Sequence, residues 1–409
     1  MMDAKRFNND RMKLSPYNYC DEVVSRLNLP RKLTLCDATL REGAQGSIIG
    51  LTLEEKIQIL QKAYDTGVRY IQIGTTREYD DLQAIMKYIK DNNLQVTTEV
   101  MVAEANADFR VPLDRAIALG VDVIDIMGFF TEYGLVVYGG MENAEKVYQL
   151  AIAQIQYVVS RGVKVSYDPM DGPRTDFNLL LKLYRGAIEA GAQQIRLLDT
   201  VGSCSPAAWR YLISTLRREF PDVNICVHCH NDFGQVMANV YASIEAGANV
   251  VDVCINGLGE RSGNAPLASV AAGAELLYGI DTGIKLEKLT ELTRLVEEIT
   301  NRKVDRNSPI VGEWAFCHGD EGHTMILKMS PWAFEAIHAD VFGNRQFTLL
   351  GPMAGPVSAR NKLTELGYAE EEFTVSDVTR IFEEVCRRTK AEKRVLSDDE
   401  IRAIAEELR

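Results

Sequence analysis

Val227-His-Cys-His-Asn-Asp232 opens the stretch on which the reading of this chain turns, because a helical run follows it, then Asn249-Val-Val-Asp-Val-Cys254, then Gly257-Leu-Gly-Glu-Arg-Ser-Gly-Asn264. The order is strand, helix, strand, Gly-rich loop. Side chains alternate across a strand, so His228 and His230 face one way and Cys229 the other. Two imidazoles on one wall make half a metal site. Cys226 and Cys229 have redox-motif spacing, but an offset of three sends them to opposite faces, which argues against a redox or zinc pair.

The same unit recurs along the chain. Short apolar, β-branched runs begin near Leu33, Val68, Val96, Val121, Val163, Gln194, Val223 and Asn249. Helical stretches follow, clearest over Leu53 to Asp65, Asn143 to Arg161 and Ala207 to Glu219. At five joints a glycine stands where a helix would end and a strand begin: Gly67, Gly120, Gly162, Gly191 and Gly247. That position favours a left-handed backbone, which glycine adopts most easily. An open doubly wound sheet would carry a Gly-rich fingerprint after its first strand, and Leu40-Arg-Glu-Gly-Ala-Gln45 is not one. Eight strand–helix units predict an α/β protein of the (β/α)8 TIM-barrel type, with its site at the C-terminal ends of the strands. The expected organisation is an irregular arm over 1–30, a barrel over 31–280, and a mostly helical C-terminal subdomain over 281–409. In the last region Leu286 to Asn301, Val375 to Thr389 and Asp398 to Arg409 read as helices between Gly- and His-containing loops.

Composition narrows the ligands. The 409 residues are 46% hydrophobic and 25% charged, with a formal charge of -13 and no basic run, so neither nucleic acid nor an anionic membrane is the expected partner. No signal peptide or run of membrane-spanning length is evident, and the expected location is the cytoplasm. The eight scattered cysteines do not suggest a disulfide scaffold.

Polar residues at the strand ends are the site candidates. Strand one leads into Arg41 and Glu42, strand two carries Gln72, strand five Asp168, strand six Asp199-Thr200 and strand seven the two histidines. A carboxylate with two imidazoles leaves coordination positions open for a substrate, and Glu42, beside Arg41 in a Gly-flanked turn, is the best carboxylate.

Leu40-Arg-Glu-Gly-Ala-Gln45, Asp199-Thr-Val-Gly202, His228-Cys-His-Asn-Asp-Phe-Gly234 and Gly257-Leu-Gly-Glu-Arg-Ser-Gly-Asn264 together resemble the 2-isopropylmalate synthase and homocitrate synthase family of metal-dependent, Claisen-condensing TIM barrels, related also to HMG-CoA lyase. The likeness runs from about Lys32 to Ile280 and more weakly to about Gly367. It implies that Glu42, His228 and His230 hold a divalent metal (Zn, Mn or Mg) that chelates a 2-oxo acid and polarises its ketone. It implies that Arg41 stands beside the developing oxyanion, that Thr200 and Gln45 contact the substrate, and that acetyl-CoA is the co-substrate. Phe316-Cys-His-Gly-Asp-Glu-Gly-His323 resembles the family segment whose last histidine, supplied by the partner subunit, deprotonates the acetyl group; His323 is thus the candidate base and a homodimer the expected assembly.

The chain departs from the family at positions facing the substrate. Phe334 replaces an assisting Tyr, so no hydroxyl is available there, Gln72 replaces an acidic residue, and Met170 replaces the leading Glu of a segment in which Asp171, Arg174 and Asp176 remain. Glu42 is the residue typical of homocitrate synthases, yet Leu135 stands where their Arg meets the distal carboxylate of 2-oxoglutarate. A small or apolar 2-oxo acid is therefore expected as acceptor. The end at Arg409 leaves no expected C-terminal regulatory domain of the leucine-pathway type. A lyase or aldolase on the same scaffold, and a catalytically silent metal-binding homologue, are the alternatives.

Overall fold

The computed structural model describes residues 7–46, 50–102 and 108–409, which fall into two compact units, one spanning Tyr17–Val304 and the other Asp305–Arg409 with the segment ending at Pro16. In the first unit eight parallel strands close into a barrel: β1 (Thr34–Asp37), β2 (Tyr70–Thr75), β3 (Thr97–Met101), β4 (Val123–Phe129), β5 (Lys164–Met170), β6 (Gln194–Asp199), β7 (Asn224–Cys229) and β8 (Val250–Val253). Neighbours follow sequence order, and β8 pairs with both β7 and β1, leaving no edge strand. The five joint glycines all adopt positive φ, from 75° at Gly120 to 110° at Gly67. At Gly67 the space is closed as well, since a Cβ would lie 2.3 Å from the Gly283 carbonyl.

Each strand is buried on both faces. The outer face is aliphatic, with Ile71, Ile124, Ile195, Ile225 and Val251 under the helices. The lowest inner layer is apolar too, built from Cys36, Tyr70, Val123, Cys226 and Val250. Above it the bore turns polar around Arg196, which is fully buried. The guanidinium reaches Glu99 at 2.8 Å, Asp168 at 2.8 Å, Asp252 at 3.0 Å and Asp125 at 3.3 Å. One cation thus holds carboxylates from four strands.

The unit extends beyond the expected boundary at 280. Helix Leu289–Thr300 packs against helix Leu53–Thr66, Lys62 pairs with Glu291, and Asn256 Nδ2 donates to the Thr293 carbonyl at 3.1 Å. Its apolar stripe of Leu289, Leu292 and Val296 is buried.

The second unit is mostly helical. Helices Pro356–Glu365, Val375–Glu392 and Asp398–Leu408 bury Leu363, Ile381, Val385, Ile401 and Ile404, and the last two begin with capping boxes at Thr374 and Ser397. His323, expected in a loop, lies in the first turn of helix Glu321–Met329, capped by Asp320, and His318 ends the short strand Cys317–His318, which pairs with Phe347–Thr348. The expected N-terminal arm is not all irregular either: Asn8–Asn9 pairs with Met12–Lys13, Asp21–Val24 is a helical turn, and residues 1–6 lie outside the described residues. No helix among the described residues is long and apolar enough to cross a membrane.

Removing the charge at the barrel centre tests this packing. Arg196→Met strands several buried carboxylates and is expected to cost about 3–5 kcal/mol at neutral pH, a deficit that shrinks as the pH falls and the carboxyls take up protons. Urea unfolding at pH 7.5 and pH 5 measures it, and equal deficits at both would show that charge burial is not the cause.

Candidate metal centre

Glu42, His228 and His230 converge at the C-terminal end of the bore. One ligand atom from each lies within 4.8 Å of the others, and all three residues are buried. The strand parity read from the sequence holds: the imidazoles share the inner face, with Nε2 atoms 3.4 Å apart, while Cys229 is buried in the outer layer. Glu42 arrives on a tight helical turn, Thr39–Gly43, just after β1. Its Oε1 stands 3.7 Å from His230 Nε2 and accepts from the Glu260 backbone N–H at 3.2 Å, tying it to the Gly-rich loop after β8.

These groups belong to a closed polar ring around the bore. Arg41 Nη1 donates to Glu42 Oε2 at 2.5 Å and Arg41 Nε to Gln72 Oε1 at 2.8 Å. Gln72 Nε2 donates to Glu99 Oε1 at 2.7 Å, and Glu99 meets Arg196. Arg196 meets Asp252, whose Oδ2 lies 2.8 Å from His228 Nδ1, and His228 faces His230. The ring sets protonation. An ionised Asp252 only accepts, so His228 carries its proton on Nδ1 and turns the Nε2 lone pair toward Glu42 and His230.

The charges follow from this packing. Burial raises the Asp252 carboxyl, but Arg196 and His228 outweigh it and hold the group below the usual carboxylate range. Burial acts likewise on Glu42 and is likewise outweighed, by Arg41 and the two imidazoles. His230 is pushed down to about 3 by burial and by the neighbouring His228, so its ring is neutral over the ordinary pH range. Its Nδ1 is buried without a hydrogen-bond partner. Two imidazoles and a carboxylate facing one another form a donor set that fits a divalent cation.

The other expected site residues divide. Arg41 and Gln72 belong to the ring, Gln72 inside β2 rather than at its end. Thr200 and Arg174 meet at the rim through Asp171: the Asp171 backbone N–H donates to Thr200 Oγ1 at 2.9 Å, and Arg174 Nε donates to both Asp171 oxygens. Gln45 is exposed, while Leu135 is fully buried at the end of the short helix Glu132–Leu135. His323 lies in the other unit, its ring stacked on Phe334 at 3.8 Å and 5.8 Å from His318. Asp199 spends its oxygens on the Ser203 and Cys204 backbone N–H groups of its own loop.

Arg196, Asp252, Glu99 and Asn264 escaped the sequence reading. Asn264 Nδ2 lies 2.9 Å from His228 Nε2. Arg196 shares its strand parity with Thr200, a residue already expected at the site, but nothing in the sequence marked an inner-face residue on β3 or β8 from which Glu99 and Asp252 could have been counted.

Comparison with known proteins agrees with this geometry. The HMGL-like family model matches residues 32–296. The 2-isopropylmalate synthase of Methanocaldococcus jannaschii is 36% identical over 95% of this chain and 74% of its own length. The homocitrate synthase AksA of Methanopyrus kandleri is 33% identical over 91% of both chains. The crystal structure of Bacillus subtilis HMG-CoA lyase superposes with a TM-score of 0.57, at 22% identity, over 69% of this chain and 98% of that one, a likeness of fold. The chain belongs to the HMGL-like family and is an enzyme of the 2-isopropylmalate and homocitrate synthase kind.

Proposed function

We propose that the protein condenses acetyl-CoA, or a related acyl-CoA, with a 2-oxo acid to give a 2-substituted malate-type product and free CoA. The observation that carries this reading is the convergence of Glu42, His228 and His230 at the barrel mouth of a chain related to such synthases. In this reading the trio holds a divalent metal, Zn, Mn or Mg, whose Lewis acidity polarises the bound ketone.

The chain's own residues do the rest. Asp252 fixes His228 in the tautomer that presents Nε2, and Arg41 holds a guanidinium next to the carboxylate ligand. Arg41 is buried, so its charge acts on a developing alkoxide with little screening. Gln72, a neutral acceptor, anchors Arg41 without drawing its charge off into a second ion pair. Thr200, Gln45 and Arg174 are the proposed contacts of the acceptor at the rim.

His323 is the proposed base. It removes a proton from the acetyl methyl carbon, that carbon attacks the ketone carbon, the alkoxide takes up a proton, and water then cleaves the thioester to release the thiol. Phe334 packs on the His323 ring but has no hydroxyl, so the proton leaves His323 by another route. Supplied by a second copy of the chain, as the family resemblance implies, His323 makes the homodimer the active form. Leu135 in place of a cation disfavours an acceptor with a distal carboxylate.

Three outcomes follow. Thiol release from acetyl-CoA across a 2-oxo acid panel should rise above background with Mn, Mg or Zn and fall at least about a thousandfold in Glu42→Ala and His230→Ala; no release from metal-loaded protein with any acid would sink the synthase reading, and product formation from a hydroxy-acid panel instead would favour a lyase. Asp252→Asn should weaken divalent-metal affinity about 10–100-fold by calorimetry at a temperature where the variant is folded, and because Asp252 also pairs with the buried Arg196 it should lower the unfolding midpoint of the metal-free protein at neutral pH. Light scattering should give a dimer, and mixing inactive Glu42→Ala with inactive His323→Ala should restore part of the activity, whereas mixtures that stay dead would exclude a base acting across subunits.

A further inference from the structure

The wall of the bore across from the ligand trio carries a carboxyl, Asp125, that is ion-paired to Arg196 but accepts no hydrogen bond. In the closed order, β4 and β5 stand opposite β8 and β1. On β4 Asp125, Met127 and Phe129 alternate onto the inner face, and on β5 Asp168 and Met170 do the same. Asp125 is 1% exposed, and neither of its oxygens has a hydrogen-bond partner. Its Oδ2 comes within 3.3 Å of Arg196 Nη1 without the alignment of a hydrogen bond, and the guanidinium protons go instead to Asp168, Glu99 and Cys226, with Asp252 also in reach. A fully buried carboxyl whose oxygens accept no hydrogen bond is costly, and it is a ready contact for a ligand that reaches it.

The charge balance says what kind of ligand. Around Asp125, among the described residues, the polar part of the bore holds the acidic groups Glu42, Glu99, Asp168 and Asp252 against Arg41 and Arg196. An arriving donor is favoured there and an arriving carboxylate is not. Burial, reinforced by Asp168 and opposed by Arg196, holds the Asp125 carboxyl well above its ordinary range, so it can both donate and accept.

We propose that Asp125 reads the far end of the acceptor, and that the acceptor is a 2-oxo acid whose side chain ends in a hydrogen-bond donor (hydroxyl, carboxamide or a cationic nitrogen) rather than in a bare alkyl group or a second carboxylate. This rests on the proposed function, which anchors the oxo-acid end at the trio and sends the side chain across the bore. Met127 and Met170, one step nearer the mouth on the same faces, give that side chain an adaptable apolar passage.

The test uses the full chain with Mn(II) and compares 4-hydroxy-2-oxobutanoate with its alkyl isostere 2-oxopentanoate, adding 5-guanidino-2-oxopentanoate for a cationic end and 2-oxoglutarate for an anionic one. Binding is read by calorimetry without acyl-CoA, and turnover by thiol release. The expected result is at least tenfold tighter binding of the hydroxy acid or the guanidino acid than of 2-oxopentanoate, with 2-oxoglutarate weakest. Asp125→Leu should reverse the order in favour of 2-oxopentanoate, while the isosteric Asp125→Asn keeps the preference for hydroxyl and loses any preference for the cation. Equal or tighter binding of 2-oxopentanoate by the unmodified protein overturns the proposal, as does an Asp125→Leu protein that keeps its melting temperature and weakens for every acid alike. Because binding is read without acetyl-CoA, selective binding with no thiol release would defeat the synthase reading and leave this one standing.

Discussion

The barrel depends on a charge that has no access to water. Arg196 sits where most barrels of this type stack aliphatic side chains, and it is tolerable there only because carboxylates from β3, β4, β5 and β8 surround it. The reverse holds as well: without the guanidinium those carboxylates could not stay in the bore. Neither partner is affordable alone, and from this mutual requirement the polar ring extends outward through Glu99 and Gln72 to Arg41, and through Asp252 to His228.

That arrangement makes the candidate metal site of Glu42, His228 and His230 the buried upper edge of a rigid interior. His228 is oriented by Asp252, Asp252 by Arg196, and Glu42 by Arg41 on one side and the Glu260 N–H on the other. A misplacement anywhere in the ring reaches the ligands by two routes. A centre held in this way is preorganised, since little rearrangement separates the ground state from the geometry that would stabilise a developing charge.

Much of this was legible in the residues, and the part that was not had a physical reason. The eight strands could be read because β-branched runs alternate with amphipathic helices and because glycine marks the helix ends at Gly67, Gly120, Gly162, Gly191 and Gly247, all of which take positive φ. His228 and His230 announced themselves by an offset of two. Arg196 did not: in Gln194-Ile-Arg-Leu-Leu-Asp199 both faces of the strand are buried, so the usual polar-out alternation is missing, and its partners lie as far as 97 residues away in sequence. The helix at His323 was hidden by its glycine-rich surroundings, although Asp320 capping the backbone N–H of His323 is an ordinary helix-start signal. Helix Leu289–Thr300 was read correctly as a helix, but amphipathicity shows that a face is buried and not against what.

The Gly-rich loop after β8 also bears on how the site comes into being. Gly46 and Gly259 approach so closely that a Cβ on Gly46 would stand 2.0 Å from the Gly259 backbone, and Leu258 packs beneath Gly43. The first and last strands of the barrel are therefore joined by a clasp in which one loop has no room for side chains on the other. Glu42 belongs to one half of that clasp and the imidazoles come from the end of β7, with β8 between them, so the carboxylate is synthesised some 190 residues before the two histidines it meets. Until the eighth strand slots in, the three donors belong to an open sheet and do not converge. Closure of the barrel is therefore the step that brings the Glu42 carboxylate to the two imidazoles.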